Sequence, residues 1–267
     1  MHLKRWISGL ILAPSLILFI LFAPPWLFLL FILILVLLGL GEYYDLSLPG
    51  ISLKEKRLGM ILGLIPPISI HFQDYRCFLA SLTFLLLFLF IRSLFQPEEF
   101  PLRVEKVSKH LLGFLYLSFL LAQFLLLRKL DEGRLLVLFT LVAVYFGDTT
   151  AFYVGRAWGR KKLAPRISPG KTVEGGWGAV AGSILGALVS KFIFLPQLSG
   201  FDVLVLGGAI GVVGQLGDLW ESLLKRSAQV KDSGTLIPGH GGLLDRIDSV
   251  LFAAPCVYFY ALAAGLG

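Results

Sequence analysis

Five carboxylates stand inside or at the edge of long apolar runs: Asp148, Asp218, Glu221, Asp245 and Asp248. An ionised group at membrane depth is costly unless it is paired, hydrated in a cavity or bound to a metal, so each is a candidate for chemistry. Asp218 and Glu221 are three positions apart in one run, and Asp245 and Asp248 are three apart where another begins. Such spacing puts both members of a pair on one helical face. Carboxylates carried on separate helices at a shared depth, beside basic loops, match the way Mg²⁺ is held: one or two protein carboxylates, with phosphates and water completing the octahedron. Simpler roles compete with this one. Acids in the first turn of a helix are favoured by its dipole, which suits Asp245 and Asp248, and Asp218 and Glu221 could pair with Lys225 or Arg226.

The adjoining loops are cationic and rich in glycine. The segment Gly155 to Gly175 carries six cations, among them Arg156 and Lys171, together with Ser168. The segment Lys225 to Asp248 carries Lys225, Arg226, Lys231 and Arg246. Within it Gly239, Gly241 and Gly242 can present backbone N–H groups to an anion just ahead of a helix N-terminus, and His240 can donate as well. Gly170-Lys171-Thr172 looks like the end of a phosphate-binding P-loop, but Pro165 stands where that motif needs its first glycine and no strand precedes it. No Ser/His/Asp spacing supports a nucleophile supplied by the protein.

The elements that must position these groups are apolar helices. Of the 267 residues 57% are hydrophobic and 15% charged, against about 25% charged in soluble domains. Nine continuous apolar runs, roughly 6–23, 26–41, 57–72, 76–96, 107–128, 133–154, 174–195, 202–224 and 247–266, read as an all-α polytopic membrane protein of about nine transmembrane helices. Continuous rather than alternating runs exclude a transmembrane barrel. The first run reads as an uncleaved helix, since Leu21-Phe22-Ala23-Pro24 is a poor cleavage site and a second span follows at once. Cys77 and Cys256 each lie in an apolar run, which leaves no disulfide framework or thiolate cluster.

With the N-terminus in the cytoplasm and the C-terminus outside, 19 of the 24 Lys and Arg residues fall on the cytoplasmic side, as the positive-inside rule requires. The formal charge of +7 is therefore topological, no nucleic-acid partner is expected, and the acids sit toward the cytoplasm. The chain divides into 1–140, spans one to five, a lipid-facing scaffold thick with Leu and Phe, and 141–267, spans six to nine, which hold the polar groups. In the second part Gly178, Gly182 and Gly186 line one face, and Gly207, Gly211 and Gly214 lead along another toward Asp218, Glu221, Ser222 and Lys225. Such small-residue faces pack helices closely and would permit a homodimer.

The stretch from Ser222 to Asp248, SLLKRSAQVKDSGTLIPGHGGLLDRID, resembles position by position the signature of the phosphatidate cytidylyltransferases, also called CDP-diacylglycerol synthases. Asp148, Ala151, Tyr153, Gly155, Arg156, Gly159, Ser168-Pro169, Lys171 and Glu174-Gly175 look like the family's second polar block. The first 140 residues match only in hydropathy and in Glu42-Tyr43. The resemblance implies transfer of a cytidylyl group from CTP to phosphatidate, giving CDP-diacylglycerol and pyrophosphate, in bacterial phospholipid synthesis at the inner (cytoplasmic) membrane, with a divalent metal required. It implies Asp218 and Asp245 as the main ligands of Mg²⁺, Asp248 as a third, and Asp148 and Glu221 as supporting or substrate-positioning groups; a second cation stays open. Lys171, Lys225, Arg226, Lys231 and Arg246 would then meet the phosphates of CTP and the lipid, with Gly239 to Gly242 as a backbone cradle and Arg156 and Ser168 as further substrate contacts.

Two other classes stay open at this point: a CTP-dependent polyprenol or lipid kinase, and an ion-coupled transporter with acids among glycine-rich helices. The charge asymmetry makes a prediction of its own. A cysteine replacing Lys161 is labelled from the cytoplasm and one replacing Gln197 only from outside; labelling of both from one side would refute the nine-span map.

Overall fold

The structure is a computed structural model and describes residues 13–72, 75–234 and 241–266. Its helices follow the apolar runs. In chain order they are α1 (Ala13–Phe22), α2 (Pro25–Ser47), α3 (Leu53–Leu62), α4 (Ile65–Phe72), α5 (Tyr75–Leu94), α6 (Phe100–Arg128), α7 (Gly133–Trp158), α8 (Val173–Ile193), α9 (Gly200–Ser227) and α10 (Leu244–Ala264). Residues Phe114–Phe119 of α6 form a π-helical turn. Among the described residues seven helices are long and apolar enough to cross a membrane: α2 and α5 through α10. The chain is thus a polytopic, helical membrane protein.

Two of the nine expected runs look different. The run at 57–72 is divided into α3 and α4, each too short to cross by itself. Pro66 and Pro67 lack the N–H groups that would bond the carbonyls of Leu62 and Gly63, so the helix breaks there, and Leu64 N turns to Ile61 O instead. The run at 6–23 is represented by α1; its first residues, with Lys4 and Arg5, lie outside the described residues. The all-helical reading also lacked one feature. Between α7 and α8 the chain folds into an antiparallel hairpin of β1 (Lys162–Ala164) and β2 (Ser168–Thr172), with Lys162 opposite Thr172 and Ala164 opposite Ser168.

Polar contacts sort the helix ends into two levels. At one level Tyr43 Oη donates to Lys109 O at 2.9 Å, Lys56 pairs with Asp45, and buried Glu55 meets Lys106 at 3.1 Å and Arg92 at 3.8 Å. These contacts bring together the C-terminal ends of α2 and α5 and the N-terminal ends of α3 and α6. At the opposite level Arg128 donates to Ile20 O and Ala23 O at 2.7 and 2.6 Å, Arg134 to Leu21 O at 2.9 Å, and Lys129 to Ile70 O. Each cation there satisfies carbonyls left over at a helix C-terminus, where the helix dipole also favours positive charge. Arg128 in addition stacks on Phe28, 4.3 Å from the ring centre. Because α3 begins at the first level and α4 ends at the second, the broken pair together traverses the bundle.

The two halves pack differently. Around α2 and α6 the core is filled by large side chains, including fully buried Tyr43, Tyr44, Phe28, Phe78 and Phe114. In the α7 to α10 half, backbone meets backbone. A Cβ on Gly182 of α8 would lie 2.7 Å from Phe146 O of α7, and one on Gly211 of α9 would lie 2.6 Å from Val180 Cα of α8. Lipid tails are as apolar as the helices, so close packing and hydrogen bonds between helices hold this half. Gly182→Val is expected to lower the melting temperature in detergent by the equivalent of roughly 1–3 kcal/mol, the scale of core overpacking. Arg128→Ala is expected to lower it as well, through the unbonded ends of α1, and to leave reactions at the far level unchanged.

Candidate active site

The C-terminal ends of α7 and α9, the hairpin, and the N-terminal ends of α8 and α10 enclose a cavity of about 750 Å³. Three carboxylates converge at one place beside it: Asp218, Glu221 and Asp248, with one oxygen of each within 4.8 Å of the others. Asp218 and Glu221 share a face of α9 through their three-residue spacing. Asp248 reaches them from α10 because the helices nearly touch at Gly217, where a Cβ would lie 2.4 Å from Asp248 O.

Two lysines balance this charge. Lys171, from β2, pairs with Asp218 at 2.7 Å. Lys225, one turn beyond Glu221 on α9, stands between Glu221 and Asp245 at 2.6 Å from each. Thr172, next to Lys171, caps α8 by accepting from Gly175 N at 3.1 Å, so the lysine leaves a strand that is locked to the following helix. Glu174 accepts from the amides of Arg160 and Lys161 and closes the base of the hairpin.

Asp245 is placed differently from the sequence expectation that paired it with Asp218 as a main metal ligand. One of its oxygens accepts from Lys225; the other accepts from Ser233 N at 3.0 Å, Ser233 Oγ at 3.0 Å and Gly242 N at 2.9 Å. With both oxygens engaged it organises the loop, and Glu221 takes the third place among the clustered acids. Gly242, expected to offer its amide to an anion, already gives it to Asp245. Gly241 holds φ +83°, a left-handed conformation suited to glycine, where a Cβ would also lie 2.8 Å from Asp245 Oδ2. Gly239 and His240 lie outside the described residues.

Asp148, Arg156, Ser168, Lys171, Asp218, Lys225, Asp245 and Asp248 line the cavity. Among the described residues Arg226, Lys231 and Arg246 do not: all three are exposed, and Arg226 donates to Ile167 O of the hairpin turn at 3.3 Å. Other groups join the site without having been assigned from sequence. Gln215, on the cavity wall, donates to Gly176 O and Gly211 O at 3.0 and 2.7 Å and ties α9 to α8. Tyr116, from the π-helical turn of α6, lies against Trp220 and Phe252 with its hydroxyl buried and unbonded. Glu42 of α2 accepts from Leu243 N and Leu244 N at 2.8 and 3.0 Å. Each was visible in the sequence only as a polar residue in or near an apolar run; Gly176 for Gln215, Trp220 for Tyr116 and Leu243 for Glu42 lie tens to hundreds of positions away.

The clustered acids suit a cation. Glu221 is 1% exposed, and its Oε1 has no hydrogen-bond partner. A buried carboxylate left short of donors is costly, and a hydrated divalent ion, bound by oxygens, would supply what Lys225 alone does not.

The pattern of the Cytidylyltransferase family matches residues 3–263. A phosphatidate cytidylyltransferase of Bacillus subtilis (strain 168) is 38% identical over 156 residues, which is 58% of this chain and 58% of the relative. The chain thus spans under two thirds of that relative's length. A phosphatidate cytidylyltransferase of Synechocystis sp. is 33% identical over 290 residues, covering 96% of this chain and 94% of the relative. An Escherichia coli (strain K12) protein, named only as uncharacterized protein YnbB, is 34% identical over 271 residues, covering 97% and 86%. With three acids balanced by two lysines beside the cavity, and the family pattern extending over residues 3–263, the chain belongs to the cytidylyltransferase family.

Proposed function

We propose that this chain transfers the cytidylyl group of CTP to phosphatidate, giving CDP-diacylglycerol and pyrophosphate, with Mg²⁺ held by Asp218, Glu221 and Asp248. The observation that carries the reading is the meeting of three carboxylates and two lysines on a large cavity at one end of a membrane-spanning bundle. The lipid phosphate is the nucleophile: one of its oxygens bonds to the α-phosphorus of CTP as the bond from that phosphorus to the β-phosphate oxygen breaks. Both reactants are anions, so the protein must align them and neutralise charge, and it need not supply a nucleophile. Bound Mg²⁺ would screen the phosphate oxygens and stabilise charge developing on the leaving pyrophosphate.

Lys171 and Lys225 are the cations nearest this centre, and each can turn from its carboxylate to a phosphate when a metal takes over that carboxylate. Asp245 holds Lys225, Ser233 and Gly242. Arg156 and Ser168 offer donors to the nucleotide, and Asp148 lines the same cavity as Asp218. A carrier would place its acids near mid-membrane with access from both faces; the gathering of acids at one level favours an enzyme. The site level is assigned to the cytoplasm of the inner membrane, where CTP is, and α3 with α4 counts as one of nine crossings.

Purified protein given phosphatidate and CTP labelled in cytidine is expected to place the label in lipid only when Mg²⁺ is present. With CTP labelled instead at the γ-phosphate, label in the lipid would indicate a kinase, and transfer to a different lipid would identify another acceptor. Asp218→Asn and Asp248→Asn are expected to lower turnover on the order of 10²-fold or more, the scale of losing one contact to transition-state charge. Lys171→Ala is expected to raise the KM for CTP or phosphatidate, or to lower kcat.

A further inference from the structure

Helix α10 carries Asp245 in its first turn and Asp248 one turn later, yet it begins without a cap of its own. Leu243 occupies the N-cap position and provides no capping side chain. Four N–H groups at a helix start have no partner within the helix, and a chain normally meets them with a nearby Ser, Thr, Asp or Asn. Here Leu243 N donates to Glu42 Oε1 at 2.8 Å and Leu244 N donates to Glu42 Oε2 at 3.0 Å. A carboxylate from a helix about 200 positions earlier in the chain replaces the local cap, and its charge suits the positive end of the helix dipole.

The surroundings are built to this carboxylate. A Cβ on Gly234 would lie 2.7 Å from Glu42 Oε1, and one on Gly242 would lie 2.6 Å from Glu42 Oε2, so the loop backbone approaches where no side chain would fit. Ser233 Oγ stands 3.1 Å from Glu42 Oε2 and 3.0 Å from Asp245 Oδ2. Its single hydrogen serves one carboxylate at a time, which couples the cap to the acid that holds Lys225. The platform beneath is rigid: Tyr43, next in α2, is fully buried and anchored to Lys109 O.

We propose that Glu42 is a positioning residue for the metal site: as the missing cap of α10, it fixes where Asp248 and Asp245 stand relative to Asp218 and Glu221 on α9. The proposal rests on reading the acid cluster as the metal site of the transferase. Glu42 does not touch the substrates; it acts through the α10 N-terminus. Its replacement by glutamine preserves volume, removes the charge, and turns an amide N–H₂ toward one of two N–H donors. The first turn of α10 then loses its tether while the bundle keeps its packing.

The test uses the full chain in detergent, comparing the parent, Glu42→Gln, Glu42→Asp, and Arg128→Ala as a cap removed at the opposite level. Mn²⁺ binding without substrates is read by electron paramagnetic resonance, and cytidylyl transfer is measured against Mg²⁺ concentration. The expected result is a roughly tenfold weaker Mn²⁺ affinity for Glu42→Gln, the lower end of the range for residues that support metal ligands, with a matching rise in the Mg²⁺ needed for half-maximal rate. Glu42→Asp should fall between it and the parent, and Arg128→Ala should match the parent in both. Parental Mn²⁺ affinity in Glu42→Gln overturns the positioning role whatever reaction the protein catalyses. Should Glu42→Gln not fold, parental affinity in Glu42→Asp overturns it equally. A parent that binds Mn²⁺ but transfers no cytidylyl group defeats the functional reading alone, and the affinities still decide the role of Glu42. A parent that binds no Mn²⁺ overturns both.

Discussion

A carboxylate taken into a helix bundle that crosses a bilayer must have a cation, a set of donors or water beside it. The α7 to α10 half is organised around that requirement. Asp218 is met by Lys171 from the hairpin, and Glu221 and Asp245 share Lys225. The Lys171–Asp218 pair fixes the hairpin to α9 and the Lys225–Asp245 pair fixes the end of α9 to the first turn of α10, while Lys225 and Glu221 pair within α9. Removing Lys225 would leave the buried Glu221 as a stranded charge, which is why this contact specifies position as well as charge balance.

The close helix crossings serve the same end. Gly217 brings α10 onto α9 one residue before Asp218, and the α8 and α9 glycines draw in the helix whose N-terminus continues the strand carrying Lys171. Large side chains at these positions would hold the helices apart and separate acids that now share a space of 4.8 Å. The aromatic core around α2 and α6 has the complementary task. It holds Tyr43 still, and through the neighbouring Glu42 it reaches the start of α10.

Much of this was legible in the residues themselves. Apolar runs marked the long helices, the charge of the loops marked one polar end, and the segment from Ser222 to Asp248 carried the family resemblance. The run at 57–72 was read as one span, and the structure divides it into α3 and α4 at Pro66-Pro67. What could not be read was which acid faces which. Asp218 and Glu221 share a face by simple periodicity, but the donors that saturate Asp245 come from Ser233 and Gly242, which no repeating spacing relates to it. Motif spacing ranks residues by their presence in a signature; it does not tell a carboxylate filled by backbone amides from one short of donors. The hairpin escaped for a similar reason, because its strands are short, basic and without alternation.

The link between Glu42 and α10 bears on the order of assembly during synthesis. Leu243 and Leu244 bind a carboxylate made 201 and 202 residues earlier, so this junction is among the most nonlocal in the chain, and nonlocal contacts form late because the intervening segment must first be confined. Before α10 is made, Glu42 lacks the two amides it meets in the folded chain. Until α10 docks, Asp248 is missing from the acids gathered on α9, so the cluster forms as late as the contact that caps α10.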